Sequence, residues 1–430
     1  MTEFTRRFAL NDRSLSRRAL LRLLAAGGAG ALVAACGGGG AEPTRTPAAG
    51  ALTPTGAAQT PTPAATSATT PAAGATPTTQ AAPTGTTEGG WPAYYPADYD
   101  QIVEASRGED RLIVYSIMSE QNWAPVLEAF NQRYDWITVE TSDLGSYEVF
   151  ERYYPEAASG ARTADMIITS APDAWQEFIS RDELNVYQSP EAQYLPDWAQ
   201  LAEGVYVVSA DPLVFIWNKQ LVQTPPKTMA ELAEMVQANP GDWQGRITTY
   251  DAEQVATGFA AFWFWIKKAG EQGWDILSRI GQASVQVQSS AGRMVDATLA
   301  GEAKLSFFVS TISVFPRYPE AEPVLGWGLI GDGTPLNTRG AGITKAAQSP
   351  NSARLLLDFM LSREGQIAWA QGGLTPYRPD VADQVEFHLN TVIAEIGQEN
   401  ALPFSFDPDL TDQAKTQEFL SRWKQAFGRP

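Results

Sequence analysis

At 430 residues, with 31 Lys and Arg against 49 Asp and Glu, the chain carries a formal charge of −18 and has a single cysteine and a single histidine. So acidic a surface repels nucleic acid, whose binding needs a basic footprint, and a lone cysteine can form no intrachain disulfide. The lone histidine, His388, leaves no His-based triad and no histidine metal cluster.

The first 35 residues read as an export signal. Arg6, Arg7, Arg13, Arg17, Arg18 and Arg22 form a basic front, and Leu23 to Ala35 is apolar and small. That run of about 13 residues is too short to span a hydrocarbon core of about 30 Å. Ser16-Arg17-Arg18-Ala19-Leu20-Leu21-Arg22 resembles the twin-arginine export motif, and Val33-Ala34-Ala35-Cys36 resembles a bacterial lipobox. The resemblance implies cleavage before Cys36 and lipid on its sulfur and new N-terminus, an anchor to the cell membrane. Without residues 1–35 the charge is −22, from 25 basic and 47 acidic residues, so lipid rather than charge must do the anchoring. Residues 36–90 are mostly Ala, Thr, Pro and Gly, with Leu52 the only large apolar side chain. Such a segment cannot bury enough surface to fold and is expected to be a disordered tether, spanning on the order of 40 Å as a flexible coil.

From Trp91 to Pro430 the composition is globular. "RLIVYSI" (111–117) predicts a strand, and Trp123, Val126, Leu127, Phe130 and Tyr134 predict a helix by their spacing. "ITVET" (137–141) and "DMIIT" (165–169) predict strands, the second followed by a helix with Trp175, Phe178 and Ile179 on one face. "VYVVSADPLVFIWN" (205–218) is a double extended run. Helices are predicted from Thr228, where Glu231 completes a capping-box spacing, and over 258–270. "VQVQ" leads through Ser289-Ser290 into a helix ending at Leu299, and "KLSFFVS" (304–310) is a strand. Ser349-Pro350 opens a helix, and Phe419, Leu420, Trp423 and Phe427 mark the last one. Alternating strands and helices predict an α/β fold with an open, mostly parallel sheet.

Several stretches together resemble the extracellular solute-binding proteins of ABC-type uptake transporters. They are "LIVYSIMSEQNWAPVLEAFNQRYDWITVE", "ADMIITSAPDAWQEFI", "DPLVFIWNKQLV", "LAGEAKLSFFVST", "GDGTP" and "SPNSARLLLDFMLSREGQ" with "GGLTPYRPDV". The ordered set covers about residues 108–430 and is nearest the branch that binds ferric ion, phosphonates or polyamines. The resemblance implies a type 2 periplasmic-binding-protein-like fold, two hinged lobes around a central cleft. Lobe 1 is expected at about 108–208 and 323–375, lobe 2 at about 209–322 and 376–430. It implies a non-enzymatic, monomeric protein without cofactor, which captures a small-molecule solute and delivers it to a membrane permease and its ATPase; the residues assemble no ligand set for a metal. A sensor for a membrane receptor, a ferric-ion-binding protein and, more distantly, a secreted carboxylate-type hydrolase are the alternatives.

Ligands in such sheets meet strand C-termini and helix N-termini. The candidate ligand-binding residues are therefore Ser116, Ser119 and Glu120; Ser170; Thr257, Gly258 and Phe259; Ser289 and Ser290; and Ser310 and Thr311. In the family the turn matching Thr257-Gly258-Phe259 cradles an anion or an oxygen-rich group. The iron-binding members carry adjacent tyrosines where this chain reads Ser310-Thr311-Ile312-Ser313-Val314-Phe315, and many carry a histidine where Ser119-Glu120 stands. Tyr153-Tyr154 reads as packing, and His388 as structural or solvated on a surface helix. Tyr115, Trp175, Trp217, Phe315 and Tyr377 are aromatic candidates for the cleft wall. Arg293 and Arg339 would serve an anionic ligand, Glu120 and Asp211 a cationic one; the residues alone leave that choice open.

Overall fold

The computed structural model describes residues 91–429, so the expected signal, Cys36 anchor and tether lie outside the described residues. The described strands are β1 (Leu112–Ser116), β2 (Val139–Asp143), β3 (Met166–Thr169), β4 (Leu184–Asn185), β5 (Gln200–Ala202), β6 (Val205–Asn218), β7 (Ile247–Tyr250), β8 (Gln286–Gln288), β9 (Leu305–Ser310), β10 (Leu325–Gly328), β11 (Thr334–Thr344) and β12 (Ala401–Pro403). The longer helices are α1 (Tyr99–Ser106), α2 (Glu120–Arg133), α3 (Glu148–Ala158), α4 (Pro172–Ser180), α5 (Met229–Ala238), α6 (Ala256–Ala269), α7 (Glu271–Gly281), α8 (Ala291–Leu299), α9 (Pro350–Leu361), α10 (Arg363–Gln371), α11 (Leu389–Ile396) and α12 (Gln413–Ala426). No helix among the described residues is long and apolar enough to cross a membrane.

The strands run in the order β2-β1-β3-β11-β6-β9-β7-β8. β1, β2 and β3 are parallel, as are β7, β8 and β9, and the antiparallel pair β6 and β11 lies between the two triplets. Each triplet is the sheet of one lobe. In the first lobe Leu112, Val114, Met166 and Ile168 pack under α1, α2, α9 and α10, while Tyr115 and Ile167 pack under α3 and α4. Burial on both faces is what a near-continuous apolar strand is for. In the second lobe α5, α6, α7 and α12 cover one face and α8 the other. The chain passes between lobes along β6, along β11 and through the segment after α10.

Two irregularities shape the crossing. β9 carries Phe307 and Phe308 opposite the single residue Phe215, with Phe308 at φ 59°. This bulge turns two consecutive rings into one core, where both meet Phe262, and it re-aims the strand end that carries Ser310. β6 likewise carries Val208 and Ser209 opposite Arg339 of β11.

Some expectations need correction. The second strand lies at Val139–Asp143, two residues beyond the expected start, because Tyr134 to Ile137 closes the preceding turn. β10 pairs with Phe215–Asn218 of β6 and so belongs to the second lobe, not the first. His388 is buried rather than solvated: its ring caps α11, accepting from the Asn390 amide, and meets the Arg378 carbonyl at 3.1 Å. Tyr153, by contrast, is packed as its sequence reading has it, with its hydroxyl donating to Glu183.

The segment entering the domain is pinned to the first lobe. Trp91 lies against Tyr99 and Tyr134. Tyr99 and Tyr187 each donate to Asp358 Oδ2 at 2.7 Å, and Ser189 donates to Oδ1 at 2.6 Å. Burial nonetheless pushes the Asp358 carboxyl up to about 7 from an ordinary 3.8. The folded state therefore binds the extra proton between those values, so this group's contribution to stability falls as pH rises from about 4 to 7 and is level above. Asp358→Asn removes that dependence. Calorimetry should show the variant's melting temperature improving relative to wild type from pH 5 to pH 8; a relative decline contradicts the assignment.

Candidate functional site

Strand ends and helix starts converge between the lobes on a cleft of about 420 Å³. From the first lobe come Ser119 and Asn122 at the start of α2, and Asp143, Gly145 and Ser146 between β2 and α3. From the second come Tyr250 and Thr257 between β7 and α6, Ser289, Ser290 and Gly292 at the start of α8, and Ser310, Ser313 and Arg317 after β9. The floor is the hinge strand β11, through Asn337 and Arg339.

The turns have local causes. Ser119 and Asn122 form a reciprocal cap, and Asn122 also donates to the Gly372 carbonyl at 2.8 Å. Ser290 caps α8 by accepting from the Arg293 amide, which leaves the amides of Ala291 and Gly292 ahead of the first intrahelical bond. α6 has no side-chain cap, so its first amides point at the cleft end. Four helix starts give the site a partial positive potential. Arg317 adds a charge shared with Asp296 at 2.6 Å. Asp143 is the one carboxylate on the wall, its carboxyl pushed up by burial.

Arg339 is 1% exposed and ion-pairs with Asp211, which is fully buried. Asp211 also accepts from Ser209 at 2.7 Å and from the Thr375 amide at 2.6 Å. Burial pushes the guanidinium down to about 9, and the carboxylate against it holds it charged at neutral pH. Arg339 Nε and Asn337 Oδ1 have no partner within the protein, and a buried unpaired group costs about 1–3 kcal/mol.

Of the candidates from sequence, Ser119, Thr257, Ser289, Ser290 and Ser310 come together on this wall. Ser170 lies behind it and meets Thr257 Oγ1 at 3.0 Å, a hydrogen bond from lobe to lobe. The other candidate ligand-binding residues lie off this wall. Ser116 is buried, accepting from Trp123 Nε1 and donating to the Ser142 carbonyl. Glu120 is exposed and off the wall. Phe259 is 5% exposed in the second lobe's core, against Phe419. Thr311 is fully buried away from the wall. Gly258 is a packing glycine: a Cβ there would stand 2.6 Å from Tyr250 Cβ. Arg293 is exposed and off the wall, and Asp211 is committed to Arg339. The five aromatic candidates line no part of the cleft; the aromatic there is Tyr250.

The residues missed have traceable signals. The turn after β2 was overlooked because the strand was placed two residues early. Asn337 stands two positions from Arg339, the basic candidate that does reach the wall, and polar side chains at that spacing in a strand mark one face as turned to something polar.

A fold of two sheets joined by crossing strands, with helix starts around a polar interlobe cleft, defines a binding protein. A family profile described as bacterial extracellular solute-binding protein matches residues 126–394. The chain belongs to that family, the substrate-binding components of ABC transporters, which are not enzymes. Among solved structures it is similar to the substrate binding protein of an ABC transporter from Agrobacterium tumefaciens, at 27% identity and TM-score 0.68 over 74% of this chain and 95% of that one. It shares its fold with the periplasmic binding protein AfuA of Actinobacillus pleuropneumoniae, solved with fructose-6-phosphate, at 18% identity and TM-score 0.59 over 74% and 98% of the two chains. The same holds for iron-bound HitA of Pseudomonas aeruginosa, at 18% identity and TM-score 0.57 over 74% and 99%. A search of curated proteins finds no match.

If Gly258 is a packing residue, Gly258→Ala displaces Tyr250 and costs about 1–3 kcal/mol. Thermal melting should show the loss; an unchanged midpoint contradicts the packing role.

Proposed function

We propose that this protein is a lipid-anchored, extracytoplasmic binding component that captures a small solute between its lobes and hands it, as a monomer, to a membrane permease and its ATPase. Removal of residues 1–35 leaves Cys36 as the lipidated N-terminus, and residues 36–90 give the domain reach. The observation that carries the reading is the cleft itself. It is walled by helix starts from both lobes and floored by β11, one of the strands that join them. A solute that touches both walls favours the closed arrangement by its differential contacts. The 27% identity to the Agrobacterium tumefaciens transporter component supports the same role.

A ferric cargo suits the wall poorly. A hard trivalent ion needs several anionic oxygens, and the wall offers Asp143 and Tyr250, whose phenol burial holds in its neutral form. Among the described residues no group of three His, Cys, Asp or Glu is placed to hold a metal.

The test is a melting screen of the purified chain against amino acids, sugars, organic anions, polyamines and metals, followed by X-ray scattering with each hit. A true solute at 100 times its dissociation constant adds about 2.7 kcal/mol and reduces the radius of gyration. Stabilisation without compaction contradicts capture between lobes. For the anchor, Cys36→Ser should move the protein from the detergent-extracted membrane fraction to the soluble fraction; an unchanged distribution contradicts lipidation at that residue.

A further inference from the structure

The cleft's chemistry is lopsided in a way that selects among solutes. Its wall carries Arg317 and Arg339 against Asp143, with serines, asparagines and a single aromatic ring, Tyr250. A polyamine needs paired carboxylates, and this wall offers Asp143 alone. At the start of α8 the space over Gly292 is open: a Cβ built there meets nothing nearer than Arg317 Nη2 at 3.7 Å. Free first-turn amides and a guanidinium thus face one vacant volume, the arrangement that seats an oxyanion. An independent feature lies on the hinge floor. Asn337 and Arg339 are each 1% exposed, and both line the cleft. Asn337 Oδ1 is an acceptor without a partner and Arg339 Nε a donor without one. A hydroxyl both donates and accepts, and so completes both atoms.

We propose that the cleft takes a compact hydroxylated organic oxyanion, its charged end on the α8 amides and Arg317 and a hydroxyl on Asn337 and Arg339. This rests on the reading of the interlobe cleft as the solute site. The anion supplies contact with the second lobe, and the hydroxyl reports to the strand that joins the lobes. Arg339 reaches the solute already neutralised by Asp211, and Arg317 shares its charge with Asp296, so both act as directed donors while net attraction comes from the helix starts.

The experiment is calorimetric titration of the full chain with glycerol 3-phosphate, ribose 5-phosphate, 3-phosphoglycerate and gluconate, beside glycerol, ribose and spermidine. At least one oxyanion should bind tenfold or more above its uncharged counterpart and above spermidine. Gly292→Asp puts a carboxylate on the anion seat, where an acid also suits a helix start. It should weaken that binding at least thirtyfold while the melting temperature holds. Asn337→Ala should weaken it about tenfold and narrow the preference for the hydroxylated ligand over inorganic phosphate. Tightest binding of spermidine or ribose, or an affinity untouched by Gly292→Asp, overturns the proposal and leaves the transport reading standing. If none of the anionic, neutral and cationic solutes of the broader screen compacts the lobes, the transport reading fails and this proposal with it.

Discussion

The Arg339 guanidinium and the Asp211 carboxylate meet in the interior where β6 and β11 cross, and the rest of the molecule is arranged around that meeting. The pair is tied to the first lobe through the Thr375 amide and stands beside Ser310 of the second, 3.4 Å from Arg339 Nη2. A buried ion pair is no automatic source of stability, because desolvating both charges offsets most of their attraction. What it supplies is a penalty for every arrangement that separates them. The β6 bulge at Val208 and Ser209 makes room for the guanidinium, and Ser209 binds both partners. The crossing is therefore fixed in register while the sheets on either side, each closed by its own core, remain separate bodies.

The character of the cleft follows from that geometry. Parallel strands in both lobes end toward the crossing, so the turns that leave them, and the helices those turns start, point into the same space. Small polar residues at these turns cap helices, and the same residues leave first-turn amides facing the cleft. Polarity at this site thus comes largely from backbone, with Arg317 and Arg339 adding charge at two points. The Ser170–Thr257 hydrogen bond closes the back of the cleft from lobe to lobe, a contact made of hydroxyls that water can replace at little cost when the lobes part.

Much of this was legible in the sequence because periodicity and turn chemistry are local. The strand-to-helix turns at Ser119, Thr257, Ser289-Ser290 and Ser310 could be placed from apolar runs followed by small polar residues. Gly258 was misread because a glycine beside a helix start looks the same whether it admits a ligand or a neighbouring Tyr250. Phe259 carried no sign that its face of α6 belongs to the core against Phe419. The Phe307–Phe308 bulge breaks the alternation on which strand reading depends, so which side each ring takes could not be read from spacing. Asn337 lies on a strand, outside the turns where ligand contacts were sought, and its role emerges only when β11 is seen to floor the cleft. Its partner in that role, Arg339, was noticed as a basic residue, but the Asp211 that neutralises it lies 128 positions away in the chain.

The claim that the crossing depends on this one pair is tested most directly by a double-mutant cycle of Asp211→Asn and Arg339→Met, with stability measured by denaturant unfolding. Each single change strands a buried partner and should cost about 3–5 kcal/mol, and the double variant should cost no more than either alone, a large favourable coupling. Additive losses would mean that the two side chains stabilise the crossing independently, and the account built on their pairing would fail.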